Sequence, residues 1–92
     1  MEFEWDPRKN EANIAKHGID FRDAIEVFRG FYLERVDDRL DYGEERMIAY
    51  GEASGRVVVV VYVWRGDRRR MVSARKAARL EMKLYYEVVH GK

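Results

Sequence analysis

Apolar residues recur at helical spacing near both ends of the chain, and between those stretches the pattern changes to that of strands. After Asp20, residues Phe21, Ala24, Ile25 and Phe28 fall at i, i+3, i+4 and i+7, the signature of a helix with one buried face. Near the end, Ala77, Leu80, Leu84 and Val88 repeat that spacing and predict a helix running to about residue 89 with these four on its inner side. Between the two, residues 31–36, 46–51, 57–64 and 69–73 read as strands, with turns at 53–55 and 66–67. The valine run at 57–61 does not alternate, so its strand is expected to be central and covered on both faces.

Residues 3–5 predict a short edge strand. Asp6-Pro7 then starts a helix, with Asp as N-cap and Pro at the first helical position, and Gly18 ends it. This first helix, residues 7–17, is poor in apolar side chains: only Ala12, Ile14 and Ala15 are candidates for burial. The order β-α-α-β-β-β-β-α, with short turns between strands, predicts an α+β fold. Two N-terminal helices and one C-terminal helix are expected to pack as a second layer on an antiparallel sheet of about four to five strands. Ninety-two residues suit one domain, 1–92.

Composition narrows the chemistry. With no cysteine and only His17 and His90, disulfides and thiolate metal sites are excluded. No signal-like segment opens the sequence and the longest apolar run, 57–64, is far too short to span a bilayer, so a cytoplasmic protein without membrane contact is expected. The loop 37–43 lacks the carboxylate alternation of a calcium site and no glycine-rich loop precedes a helix, so no metal and no cofactor are expected. Ser73 reads as the N-cap of the last helix.

A net charge of +1 conceals an asymmetry. Residues 65–79 carry seven basic side chains against one acid, while 20–52 carry ten acids against five bases. Such a basic segment suits phosphate binding, or else is a solvated face. It comprises Arg65, Arg68, Arg69, Arg70, Arg75, Lys76 and Arg79; strand alternation sends Arg69 and Arg70 to opposite faces. A cation such as Arg75 at the start of the last helix opposes the helix dipole, which points to an anion held there by helix N–H groups, with Arg65 closing over it. Glu81 is expected to pair with an arginine of the sheet, and Tyr85 to pack.

A second cluster, Lys9, Asn13, Lys16 and His17, shares one face of the first helix. His17 is either a partner of the helix dipole or a proton carrier for cleavage of RNA by its own 2′-hydroxyl. Arginines plus one proton carrier suffice for phosphoryl transfer.

Residues 3–28 and 72–86 resemble the BrnT toxins. The resemblance is carried by Trp5-Asp6, by Lys16-His17-Gly18 followed by Phe21, and by Ser73-Ala74-Arg75-Lys76-Ala77 with Glu81 after it. In the middle the likeness is looser, limited to Arg46, Gly51 and the valine-rich strand, and Trp64 stands where a smaller polar residue is expected. The resemblance implies a RelE-like fold, RNA cleavage without metal, and neutralisation by a BrnA-like ribbon-helix-helix antitoxin in a 2:2 heterotetramer that alone contacts operator DNA.

It favours Lys16, His17, Arg65, Arg70 and Arg75 as RNA-contacting or catalytic. With the clusters above, His17, Lys16, Arg65 and Arg75 are expected to be catalytic, and Lys9, Arg68, Arg70, Lys76 and Arg79 to bind RNA. Glu81 and Tyr85 are expected to be supports. His17 would move the proton while Arg65 and Arg75 stabilise the phosphorane, leaving a 2′,3′-cyclic phosphate. The competing reading is a non-catalytic RNA- or protein-binding module using the same basic face. A third reading, a subunit completed by a partner, rests on Phe31, Tyr32, Leu33 and Trp64.

Overall fold

A computed structural model describes residues 2–39, 41 and 43–91. Leu40 and Tyr42, part of the loop set aside above as a calcium site, lie outside the described residues. The elements are β1 (Glu2–Glu4), α1 (Pro7–His17), α2 (Phe21–Ala24) continuing as a 3₁₀ turn (Ile25–Arg29), β2 (Tyr32–Asp37), β3 (Arg46–Ala53), β4 (Arg56–Arg65), β5 (Arg68–Lys76) and α3 (Arg79–Val89). The order matches the sequence reading.

The five strands lie in the order β1-β5-β4-β3-β2. Strands β2 to β5 form the expected antiparallel meander. β1 joins the far edge parallel to β5, Phe3 opposite Arg69, which makes the sheet mixed. The valine-rich β4 is central, and Val57 to Val60, Tyr62 and Val63 are buried.

Alternation assigns the faces. Val58, Val60, Tyr62, Ala49, Met71 and Ala74 point toward α1 and α2 and form the main core with Phe21, Ala24, Val27 and Phe28. Gly51 lies so close beneath Val27 that a Cβ there would stand 2.8 Å from Val27 Cγ1. The opposite face carries Ile48, Tyr50, Val59, Val63 and Arg75, and α3 lies over it: Tyr86 bonds to Glu52, and Glu81 to Arg75. The helices therefore occupy both faces and the fold has three layers, not the two expected.

The end of the chain departs most from expectation. β5 continues through Lys76 where a helix was predicted from Arg75, because Ser73, Ala74, Arg75 and Lys76 stay paired with Val61, Val60, Val59 and Val58. The helix begins only at Arg79, and the Glu81 carboxylate accepts the Ala78 N–H at 2.7 Å. Ser73 is thus a strand residue rather than an N-cap. The expected inner face of α3 is also reversed: Leu80, Leu84 and Val88 are 66%, 53% and 48% exposed, while Tyr85 is buried and donates its hydroxyl to Phe31 O. The 3.6-residue spacing groups Leu80, Leu84 and Val88 on one side, but that side faces outward, and the contact is made by Glu81 and Tyr85 on the neighbouring face.

Candidate active site

α1 turns a polar face to the sheet. Asn10 and Asn13 are its buried residues, with the half-buried His17 one turn beyond on the same side. Asn10 accepts the Phe21 N–H at 2.8 Å and donates to Asp20, the cap of α2. Arg22 and the backbone around it hold the Asp20 carboxyl far below the usual carboxylate range.

Asn13 does more. β1 covers β5 only at residues 68–70, which leaves the outer edge of β5 unpaired further along. There the Asn13 carboxamide accepts the Ala74 N–H at 3.1 Å and donates to Ala74 O at 2.9 Å, taking the place of a neighbouring strand; it also donates to Ile19 O. A buried backbone donor and acceptor left open would each cost about 1–3 kcal/mol. Asn13 thus fixes α1 against the strand.

The same docking builds an open groove of about 270 Å³ lined by Lys9, Ala12, Asn13, Lys16, His17, Val72 and Ser73. Lys9, Lys16 and His17 have no ion-pair or side-chain hydrogen-bond partner among the described residues. Three basic groups without counter-ions therefore surround a groove floored by a strand edge and a serine. Lys76, at the end of β5, and Arg79, at the start of α3, are likewise exposed and without such partners.

The other expected cations are differently placed. Arg65 pairs with Glu44 at 3.4 Å, Arg68 with Glu2 at 3.0 Å, and Arg70 with Glu4 at 2.9 Å. Arg75 makes two bonds of 2.9 Å to Glu81, the pairing expected for that glutamate. This fork holds the Glu81 carboxyl below its usual range and raises Arg75. Arg65 lies opposite Arg68, whereas Arg75 lies opposite Val59, six positions back along β4. At roughly 3.3 Å per residue the two are about 20 Å apart. They cannot close on one phosphate, and the anion site expected at a helix start at Arg75 does not exist, since Arg75 is on a strand.

Sequence reasoning passed over a third cluster. Arg69, buried on the α1 face of β5, has its guanidinium carbon 4.2 Å from the Phe28 ring centre, 4.6 Å from Trp64 and 5.1 Å from Tyr62. It also donates to Tyr32 Oη at 3.0 Å. Beside it the Tyr62 hydroxyl donates a hydrogen bond to Glu34, and burial followed by that bond pushes the phenol up to about 12. Aromatic residues two apart on one strand, Tyr62 and Trp64, opposite an arginine across a hairpin were the signal for this cage.

Comparison with known proteins decides the family. A family model described as "Ribonuclease toxin, BrnT, of type II toxin-antitoxin system" matches residues 5–81. The chain belongs to the BrnT family. Among solved structures it is similar to the crystal structure of the Brucella abortus ribonuclease toxin BrnT, with 32% identity and a TM-score of 0.65. That match covers 86% of this chain and 99% of the Brucella chain. No curated protein matches.

As a BrnT-family member the chain is a ribonuclease toxin of a type II toxin–antitoxin system, with RNA as its target and an antitoxin as its partner. The BrnT match takes in Lys9, Lys16, His17, Ser73 and Arg75, and stops at Glu81, so that most of α3 lies beyond it. No helix among the described residues is long and apolar enough to cross a membrane, and none of them form a group of three or more His, Cys, Asp or Glu suited to a metal ion.

Proposed function

We propose that this toxin cuts RNA in the groove between α1 and β5 by metal-independent transesterification, with His17 as the proton carrier. The observation that carries this reading is that Lys9, Lys16 and His17 meet in one open groove without counter-ions, whereas Arg65, Arg68, Arg70 and Arg75 are already engaged by carboxylates. A phosphate reaching the groove displaces only water. One reaching those arginines must first displace a carboxylate.

In the proposed step the 2′-oxygen attacks phosphorus as neutral His17 takes its proton. The bond from phosphorus to the 5′-oxygen breaks, and the imidazolium returns the proton to that oxygen. Products are a 2′,3′-cyclic phosphate and a 5′-hydroxyl. Lys9 and Lys16 stabilise the charge gathering on the non-bridging oxygens. Lys76 and Arg79 extend the track for the backbone. Arg75 acts through Glu81, holding α3 on the sheet, while Arg65, Arg68 and Arg70 tie the sheet edges to Glu44, Glu2 and Glu4.

The partner is a BrnA-like ribbon-helix-helix antitoxin in a 2:2 assembly in the cytoplasm, and the antitoxin alone touches operator DNA. The exposed Leu80, Leu84 and Val88 stripe supports a protein partner. Purified protein incubated with labelled RNA and chelator tests the proposal: cleavage is expected, suppressed by antitoxin and lost in His17→Ala with the melting temperature unchanged. Parental cleavage by His17→Ala would remove His17 from the chemistry. Tight RNA binding with no cleavage would favour the binding-module reading.

A further inference from the structure

Trp64 is the last residue but one of β4, opposite Arg69 of β5. One face of its indole is closed by the Arg69 guanidinium, 4.6 Å from the ring centre, and its position is fixed by the edge of Tyr62, with ring centres 5.6 Å apart. Trp64 is nonetheless 47% exposed, so part of the indole remains open to solvent. Arg69 is itself held between Phe28 and Trp64 and bonded to Tyr32, so the indole is mounted on a rigid support. A rigid, solvent-facing aromatic plane is the element on which proteins stack single-stranded bases.

The Tyr62 ring spans the gap between this plane and Glu34. Its hydroxyl occupies Glu34 Oε2, while Oε1 has no partner among the described residues. Tyr62 and Trp64 share a face by strand alternation, and Glu34 lies on that same face through β3, opposite Ala49. An exposed indole and an exposed glutamate thus flank one buried tyrosine, each in contact with it. A carboxylate accepts N–H donors and repels acceptors. Among the bases, guanine offers two adjacent donors on its Watson–Crick edge, whereas adenine places an acceptor beside its amino group.

We infer that Trp64 and Glu34 form a subsite for a guanine base of the RNA substrate, Trp64 stacking on the ring and Glu34 accepting from its Watson–Crick edge. The subsite rests on the ribonuclease reading but is separate from the α1–β5 groove. It would give the enzyme a base preference that unspecific lysine contacts to phosphate do not supply.

The test titrates the protein with guanosine and adenosine 5′-monophosphates while following tryptophan fluorescence. Trp5, packed edge-on against Phe21, supplies a background that the Trp64→Ala variant isolates. Guanosine monophosphate is expected to quench with a several-fold lower Kd than its adenosine counterpart. Glu34→Gln is expected to erase that difference, and Trp64→Ala to abolish the quenching. In cleavage of a guanine-containing oligonucleotide, Trp64→Ala should raise KM on the order of tenfold with kcat near the parental value. Equal quenching by both nucleotides, quenching that survives Trp64→Ala, or an unchanged KM in that variant would overturn the subsite. Should the parent cut no RNA, the catalytic reading fails while the nucleotide titration still decides this one. Should Trp64→Ala unfold, Glu34→Gln decides it, because Glu34 is exposed and outside the core.

Discussion

Arg75 and Glu81 meet through two parallel hydrogen bonds of 2.9 Å, and this fork ties the last strand to the first turn of the last helix. The same carboxylate accepts the Ala78 N–H, so one side chain both starts α3 and docks it. The rest of the docking is sparse, chiefly the Tyr85 and Tyr86 hydroxyls on Phe31 O and Glu52.

Acid should therefore loosen α3 before it unfolds the sheet. The Glu81 carboxyl is lowered from its usual 4.5, first by the hydrogen bonds from Arg75. A carboxyl lowered in the folded state contributes stability that is present above its unfolded value and lost as pH falls through the folded one. Amide protection over residues 80–91, relative to intrinsic exchange, should fall in the parent as the pH drops below the ordinary carboxyl value of 4.5 and through the lowered one, and Glu81→Gln should show the reduced protection already at pH 7. Protection of α3 that is the same in both proteins at pH 7 would mean the fork does not hold the helix.

Asn13→Ala removes the group that completes the edge of β5 at Ala74. With backbone polar groups of Ala74 and Ile19 losing their partner, a loss of about 2–4 kcal/mol is expected by denaturant titration. Asn13→Asp, which keeps the acceptor and loses both donations, should also destabilise. A loss under about 0.5 kcal/mol would show that water replaces the amide.

Most of the architecture was legible in the sequence because local signals agreed with the fold. Asp6-Pro7, Gly18 and Asp20 bound the first helices where expected, and the unbroken valine run marked the central strand. The extent of β5 was not legible, since its last residues are held by Asn13, 61 residues earlier in the chain. The layer occupied by α3 also escaped prediction: an apolar stripe reads as an inner face, but the Arg75–Glu81 fork and the Tyr85 and Tyr86 hydroxyl bonds dock the neighbouring face and leave the stripe outward. Lys9, Lys16 and His17, which helical spacing places on one face, line one groove. The clamp of Arg65 with Arg75 failed because strand register, not proximity in sequence, sets their separation.

Arg69→Lys should cost about 2 kcal/mol although the charge is kept. An ammonium lacks the planar area that lies between Phe28 and Trp64 and loses the geometry of the bond to Tyr32. Chemical denaturation measures this; a neutral result would show the cage tolerates any cation.

Gly51→Ala tests the closeness of the 3₁₀ turn to β3. The new Cβ would stand 2.8 Å from Val27 Cγ1 and 3.2 Å from Val27 O, one a side chain and the other backbone. Overpacking of about 1–3 kcal/mol is expected in the melting temperature and denaturant midpoint. Unchanged stability would require the turn to move without strain.

The most direct measurement is the chemistry of the fragment ends. Parent and His17→Ala are each incubated with end-labelled RNA in chelator, and the ends are read by phosphatase sensitivity and mass. Fragments ending in 2′,3′-cyclic phosphate from the parent alone, with both proteins melting alike, are the expected result. Equal cleavage by His17→Ala, or fragments ending in 3′-hydroxyl and 5′-phosphate, would contradict a groove in which His17 moves the proton of the attacking 2′-hydroxyl.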